Sequence, residues 1–295
     1  MEDVVEMKRK KKKQNFNLSL TPGITFLVLL FVIPVINLLM YSFFRSGGSA
    51  KVIREFTLEN YQSFFTDAFY LGVLRDTFVM AIGISLITVV ISYPVAYYLA
   101  RTKSPMQKLV SSIVFLPLLA SVIVTSYGWM ILLSDGGFIN SHLIQMGIID
   151  TPLPLMYSKL GVYIAMIQVN LPYMITSIRN GLVSIDKNAE SAAKTLGANS
   201  VVTFFTVTFP LSLPGVSAGI VLVFVDVLSS FYLPALLGGG KINTLATVIL
   251  TMMERTMNWP QAATVSVILL VSATLVMYLN NRLMETKLFS GGGKK

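Results

Sequence analysis

The chain has 295 residues, of which 54% are hydrophobic and only 13% are charged, and its mean hydropathy is +0.70. This composition excludes a soluble globular domain and is typical of a membrane protein with several transmembrane helices. The net charge of +9 does not by itself indicate nucleic-acid binding, because membrane proteins concentrate Lys and Arg in cytoplasmic loops, beside anionic lipid headgroups.

A basic N-terminal tail, residues 1–19, precedes the first apolar segment, and its Lys and Arg residues at 8–13 predict a cytoplasmic location. The apolar segment 20–44 is predicted to be the first transmembrane helix. A cleaved signal peptide is the alternative, since residues 48–50 resemble a small-residue cleavage site. The apolar segment is longer than a signal peptide allows and contains Pro34, so we expect it to remain as a membrane anchor.

Six apolar segments are long enough to cross a hydrocarbon layer about 30 Å thick, which requires roughly 20 residues per helix. They cover residues 20–44, 71–99, 109–133, 161–178, 214–237 and 262–283. Together they predict an all-α integral membrane domain with six spans over residues 20–285, followed by a short C-terminal tail, 286–295. A short helix outside the membrane is expected near residues 57–61.

The distribution of basic residues indicates how the six helices are oriented. Most of the 23 Lys and Arg residues lie in the two tails, in the loop after the second span and in the polar segment after the fourth span. The loops on the other side carry fewer basic residues, and acidic residues offset them. By the positive-inside rule, both termini and the polar segment are predicted to face the cytoplasm.

That polar segment, residues 186–210, has a pattern that predicts two short helices. Apolar and small side chains recur at helical spacing in its first half, with charged side chains mainly on the other face. Asp186 is a predicted N-cap, and Gly197 suits the left-handed conformation that ends the first helix. Ser200 is expected to cap the second helix, which Pro210 is expected to end.

An amphipathic helix of this kind could instead lie on the lipid headgroups. The residue order favours a more specific role: Ser-Ala-Ala at 191–193 is followed after three residues by Gly197, and after nine more by Val-Thr-Phe-Pro at 207–210. This spacing resembles the EAA motif of bacterial ABC-importer permeases, which reads EAA, three residues, Gly, nine residues and Ile-x-Leu-Pro.

The chain departs from that motif at its acidic position. Ser191 stands where the family has its glutamate, and Glu190 lies one residue earlier. Val207 and Phe209 replace the family's Ile and Leu. These departures preserve the two-helix pattern, but they leave two candidates, Glu190 and Ser191, for the contact that the family glutamate makes.

The resemblance to these permeases covers most of the chain, from the first span to the last. Within the family, the sequence is similar to the spermidine/putrescine permease subfamily. The stretches that carry this similarity are 57–61, 126–130, 136–140, 147–152 and 234–238. Permeases for iron, opines and aminoethylphosphonate share much of the same pattern, so these substrates are alternatives.

The resemblance implies an importer of the bacterial inner membrane. In it this chain would pair with a second homologous permease, two cytoplasmic ATPase subunits and an extracytoplasmic substrate-binding protein. Residues 186–210, the coupling segment, would contact the ATPase through Asp186, Glu190, Ser191, Ala192, Ala193 and Gly197. ATP and Mg²⁺ would bind to the partner ATPases and no cofactor to this chain. The sequence agrees in one respect, since it contains no G-x-x-x-x-G-K-[ST] phosphate loop.

One acidic residue, Asp226, lies well inside a predicted span, where a charged side chain costs roughly 2.5–3.5 kcal/mol near the bilayer centre. We therefore expect it to face the bundle interior, water or a cation. The candidates for a substrate path are Asp226, Ser229, Ser230, Tyr232 and Trp129. A carboxylate beside hydroxyls and aromatic rings can hold a cationic amine. The alternatives are an interhelical hydrogen bond for Asp226 and ordinary packing for Trp129.

Two other classes of function are disfavoured. A membrane enzyme or metal site needs a group of His, Cys, Asp or Glu residues, and the chain has a single histidine, His142, and no cysteine. An ion-coupled secondary transporter could use Asp226 alone, but six spans would then be expected to contain inverted repeats, which the sequence does not display.

Overall fold

The structure is a computed structural model that describes residues 22–23, 25–48 and 50–285, so the predicted tails at 1–19 and 286–295 lie outside it. The described chain is mainly helical. Its helices are α1 (Thr25–Ser42), α2 (Glu59–Thr66), α3 (Ala68–Arg101), α4 (Met106–Phe115), α5 (Val122–Leu133), α6 (Phe138–Gln145), α7 (Lys159–Val183), α8 (Lys187–Thr195), α9 (Ser200–Thr203), α10 (Phe209–Ser229), α11 (Tyr232–Leu237), α12 (Leu245–Glu254) and α13 (Trp259–Glu285).

Six helical segments of the described residues are long and apolar enough to cross a membrane. They are Thr25–Ser42, Ala68–Arg101, Val122–Gln145, Lys159–Val183, Ser200–Ser229 and Trp259–Met284. The six-span, all-α architecture predicted from the sequence is therefore confirmed. The described residues also contain elements that the sequence analysis did not predict, among them a small hairpin in which β1 (Phe44–Ser46) pairs antiparallel with β2 (Val52–Phe56).

The core of the bundle is formed where α3, α7 and α10 pack together. Half of the most apolar part of α7 is buried inside the chain, against 6% for α1, so α7 is central and α1 peripheral. Helices α7 and α10 approach closely at Gly181 and Gly215, where a Cβ added to Gly215 would lie 2.8 Å from the Cα of Gly181. Ser177 also links the two helices, because its hydroxyl donates a hydrogen bond to the Gly215 carbonyl oxygen at 3.0 Å.

The hairpin and α2 hold the end of α1 against α13. Asn60 is buried and donates from its amide to the carbonyl oxygens of Ser42 and Phe44, at 3.1 and 2.9 Å. Thr264 of α13 also donates to the Ser42 carbonyl, at 3.0 Å. The two bonds to Ser42 satisfy the last carbonyl group of α1, which has no partner within the helix, and the bond to Phe44 connects α2 to β1.

The third predicted span is not one continuous helix, so the expectation for residues 109–133 is wrong in this respect. Helix α4 ends at Phe115, a 3₁₀ turn follows over Leu116–Leu119, and Ala120 is extended. Pro117 contributes no N–H to the helix, and Ser121 caps α5 by accepting from the Ile123 amide at 3.3 Å. The Leu116 amide donates to the Ser112 carbonyl oxygen at the end of α4, and Ser121 caps the start of α5, so the chain can change direction between the two helices.

The fifth predicted span, 214–237, is also divided, because α10 ends at Ser229 and α11 begins at Tyr232. The break lies four residues before Pro234, whose ring would clash with the carbonyl group of Ser230 in a continuous helix. As a result, Asp226 lies in the last turn of α10 and not near the middle of a span, where the sequence had placed it.

The second helix of the coupling segment does not end at Pro210, contrary to the prediction. A wider π-helical turn, Phe204–Thr208, joins α9 to α10, and the helix continues through the proline. A π turn accommodates the proline ring because it removes the close i−4 carbonyl contact of an α-helix. The second helix of the coupling segment is therefore continuous with the fifth span.

Candidate functional site

The first helix of the coupling segment, α8, has the two ends that its sequence predicts. The Asp186 carboxylate accepts a hydrogen bond from the backbone amide of Asn188 at 2.9 Å, as the side chain of an N-cap residue does. Gly197 has φ of 91°, and the following amide, that of Ala198, donates to the Ala193 carbonyl oxygen at 3.1 Å. This hydrogen bond is typical of a helix that ends at a left-handed glycine.

The cap of the second helix differs from the prediction by one residue. Asn199, not Ser200, is the N-cap of α9, and its side-chain oxygen accepts from the Val202 amide at 2.8 Å. An asparagine caps a helix as well as a serine does, so composition alone does not separate the two positions. The turn between α8 and α9 is therefore only four residues long, Leu196 to Asn199.

The tip of the coupling segment presents apolar and small side chains outward. Ser191 and Ala192 are exposed on α8. Beyond them, Leu196 is 88% exposed, and Val201 and Phe205 are also exposed. These three apolar side chains come from the end of α8, from α9 and from the turn that follows α9, so the exposed apolar surface extends over both short helices. Such a surface is suited to a complementary groove on another protein.

Glu190 points the other way, into the protein's own bundle. Its carboxylate forms an ion pair with Arg101, the last residue of α3, and the exposed fractions of the two side chains are only 19% and 15%. Thr208, in the π turn, donates a hydrogen bond to the same carboxylate at 2.9 Å. Glu190 thus joins three elements: the coupling helix α8, the second span and the start of the fifth.

This arrangement assigns different surroundings to the two residues that the sequence left as alternatives. The Glu190 carboxylate forms an ion pair within the chain, whereas Ser191, at the position of the family glutamate, is exposed on α8. Neither Arg101 nor Thr208 was singled out by sequence reasoning. Their separation from Glu190 along the chain, 89 residues for Arg101 and 18 for Thr208, left no local pattern to detect.

The candidate substrate-path residue Asp226 has a partner that the sequence analysis missed. The Asn170 amide donates to the Asp226 carboxylate at 3.1 Å and to the Met166 carbonyl oxygen at 2.9 Å. Asn170 is only 1% exposed, and within the described residues its side-chain oxygen has no hydrogen-bond partner. Asp226 itself stays accessible at the surface of the bundle. A polar residue inside the apolar fourth span was the signal that could have identified Asn170.

The other predicted path residues are brought together only in part. Ser229 turns its hydroxyl back to the helix and donates to the Val225 carbonyl oxygen at 2.9 Å. Ser230 is half-buried, and Tyr232 is exposed, with its ring 4.0 Å from that of Phe231. Ser230 and Tyr232 therefore remain available next to Asp226 in sequence, whereas Ser229 is already engaged with its own helix.

Trp129 lies in α5, which packs against both α7 and α11. Its indole N–H donates to the side-chain oxygen of Gln168 at 3.1 Å. Gln168 is a second polar residue of the fourth span that the sequence analysis missed. The indole is half-buried, so its contact with α7 fits the packing alternative as well as a path-lining role.

Fold and site together define this chain as the membrane-embedded permease type of transport protein. In overall fold it is similar to a chain of the bacterial alginate ABC transporter in complex with an alginate pentasaccharide-bound periplasmic protein. The TM-score is 0.76 at 17% identity, with 97% of this chain and 99% of that chain covered. A chain of the inward-facing MetNI methionine ABC transporter is similar over 72% of this chain, with a TM-score of 0.56.

The chain belongs to the family described as the binding-protein-dependent transport system inner membrane component, which it matches over residues 92–289. It is 30% identical to the spermidine/putrescine transport system permease protein PotB of Salmonella typhimurium (strain SL1344), over 92% of this chain and 94% of that protein. PotB of Escherichia coli (strain K12) is 31% identical over 88% of this chain and 96% of that protein. The chain is thus a multi-pass inner-membrane permease subunit of an ABC importer.

Proposed function

We propose that this permease carries polyamines, with spermidine or putrescine as its substrate. The observation that carries the proposal is the Asp226 carboxylate, which is exposed on α10 and accepts a hydrogen bond from the side-chain amide of Asn170. A cationic amine can form an ion pair with such a carboxylate, and Tyr232 offers an aromatic face nearby in sequence. The similarity along most of the chain to permeases named for spermidine and putrescine supports the same substrate class.

The coupling segment is proposed to contact a cytoplasmic ATPase subunit. Its exposed tip, including Leu196, would enter a groove of the ATPase, while the exposed Ser191 occupies the position of the family glutamate. The ion pair of Glu190 with Arg101 and the continuous helix through Pro210 would transmit the movement of the ATPase to the second and fifth spans. This role requires both termini and the coupling segment to lie in the cytoplasm, as the distribution of basic residues predicts.

The complete importer would contain a second homologous permease, two ATPase subunits and an extracytoplasmic binding protein. ATP and Mg²⁺ would bind to the ATPase subunits, so this chain acts as a non-catalytic transport subunit. The binding protein would select the substrate, and Asp226 would contact it during passage. Alternating access then requires that the substrate-facing residues and the coupling segment move as parts of one bundle.

The experiment that tests this proposal is uptake by the complete importer reconstituted in proteoliposomes. Labelled spermidine and putrescine should accumulate only with internal ATP present, whereas iron, opines and aminoethylphosphonate should not. Asp226→Asn should lower polyamine uptake by about tenfold, because it removes the negative charge and keeps the side-chain size. Glu254→Gln, a change at an exposed carboxylate in α12, is the matched control and should transport normally. Equal uptake by the wild type and the Asp226→Asn variant would remove Asp226 from the path.

A further inference from the structure

An open pocket of about 520 Å³, with basic and hydroxyl side chains in its lining, lies where α3 passes into α4, beside the end of α7. Its polar lining comes from two helices: Lys108, Ser111 and Ser112 from α4, and Arg179 from α7. Gln107 fixes one wall, because its side-chain amide donates to the Leu99 carbonyl oxygen at 2.8 Å. We call this space the basic cavity.

The two cations of the basic cavity are not neutralised by the chain. Neither Lys108 nor Arg179 forms an ion pair with any carboxylate within residues 22–23, 25–48 and 50–285. The neighbouring Arg101 differs from them, since it is already paired with Glu190. Two unpaired cations from different helices on one cavity attract an anion.

The serines of the cavity also have unused hydrogen-bonding capacity. Elsewhere in the membrane helices, hydroxyls such as those of Ser85, Thr88 and Ser126 donate to the carbonyl group four residues earlier, at 2.6–2.7 Å. In the described part of the chain, the hydroxyls of Ser111 and Ser112 have no such bond. Two free hydroxyls beside two cations match the donors that an oxyanion with several oxygens requires.

Exposed apolar side chains lie along α4, next to the cations and hydroxyls of the basic cavity. Leu109, Ile113 and Leu116 are 56%, 62% and 66% exposed along α4 and the 3₁₀ turn that follows it. Phe115 belongs to the cavity wall itself. A free inorganic anion would need only the polar part, whereas a lipid would use the exposed apolar side chains for its acyl chains and the cavity for its headgroup.

We propose that the basic cavity binds the phosphate group of an anionic phospholipid, in the leaflet next to the coupling segment. Basic pockets between membrane helices on the cytoplasmic side are the sites at which anionic headgroups bind. Lys108 and Arg179 hold the phosphate charge, and Ser111 and Ser112 donate to its oxygens. The bound lipid connects α4 to α7 and lies against Leu99 of α3, two residues before Arg101, whose partner is in the coupling helix.

The test uses the complete importer in nanodiscs made of phosphatidylcholine, with or without phosphatidylglycerol, and counts retained lipids by native mass spectrometry. Phosphatidylglycerol should be retained in preference to phosphatidylcholine. Removal of both cations, Lys108→Gln with Arg179→Gln, should weaken retention about 25-fold, or about fivefold for each one. Lys103→Gln is the matched control, since Lys103 is an exposed cation between α3 and α4 that does not line the cavity.

Two further measurements separate lipid binding from misfolding and from binding of free phosphate. The charge-conserving pair Lys108→Arg and Arg179→Lys should retain the lipid, which separates loss of charge from misfolding. Inorganic phosphate added to phosphatidylcholine discs should bind far more weakly than the lipid. Equal retention of the two lipids, equal loss in Lys103→Gln, or occupation by inorganic phosphate alone would overturn the proposal. Lipid retention is measured without transport, so this result stands apart from the polyamine proposal.

Discussion

Replacement of Glu190 by alanine should release the coupling helix from the bundle. The change removes the ion pair with Arg101 and the hydrogen bond from Thr208 in one step, and it leaves the Arg101 guanidinium in a mostly buried position without a partner. Its Nε already lacks a hydrogen-bond partner within the described residues, so no second acceptor there can compensate. We expect α8 to open more often while the six spans remain folded.

The magnitude follows from the burial of the pair. Exposed ion pairs contribute about 0.2–1 kcal/mol, whereas loss of one partner from a fully buried pair costs about 3–5 kcal/mol. Glu190 and Arg101 are 19% and 15% exposed, which places them between these limits but nearer the buried case. We therefore expect about 2–3 kcal/mol for Glu190→Ala, equivalent to a rise of roughly 30- to 160-fold in the opening constant of α8.

Hydrogen exchange followed by mass spectrometry measures this opening directly, in peptides that cover Lys187–Thr195. A double-mutant cycle with Arg101→Ala should give a coupling energy of about 2 kcal/mol. Glu59→Ala is the control, because the pair of Glu59 with Arg45 is exposed and its loss should leave exchange in α8 unchanged. Exchange in α8 that stays at the wild-type rate in Glu190→Ala, or a cycle additive to within about 0.5 kcal/mol, would refute the reasoning.

Three other changes test the geometry at separate points. Gly197→Val should reduce substrate-stimulated ATP hydrolysis, because φ of 91° is strained for a β-branched residue. Gly197→Asn should keep ATP hydrolysis near the wild-type level, since asparagine tolerates this conformation and the site has open space. Gly215→Ala should lower the thermal unfolding temperature of the detergent-solubilised importer, and Gly215→Leu should lower it further, because the added atoms separate Gly181 from α10. Unfolding temperatures equal to that of the wild type would contradict the close crossing. Asn170→Ala should raise the KM for polyamine uptake about fivefold by releasing the Asp226 carboxylate, and an unchanged KM would show that their hydrogen bond has no part in transport.

Several differences between expectation and structure have the same origin, which is proline. The expected single helix over 109–133 is divided after Phe115, and the expected span over 214–237 is divided after Ser229. Pro210, by contrast, lies within a continuous helix because a π turn precedes it. A proline in a membrane helix can end it, kink it or be accommodated, and the choice depends on whether neighbouring groups satisfy the freed carbonyl.

The sequence by itself determined the features that depend on residues close together in the chain. Apolar segments of span length predicted the membrane helices, and Asp186 and Gly197 predicted the two ends of α8, because capping bonds form within a few residues. The family motif likewise could be read from the spacing of residues within one segment.

Only the tertiary structure decided how distant side chains pair. The partners of Glu190 and Asp226 are Arg101 and Asn170, which lie 89 and 56 residues away from them in sequence. Helical periodicity specifies which face a side chain occupies, but not which other helix that face meets. The direction of Glu190 and the orientation of the Asp226 carboxylate therefore depend on the packing of α3, α7 and α10, since that packing alone brings their partners within hydrogen-bonding distance.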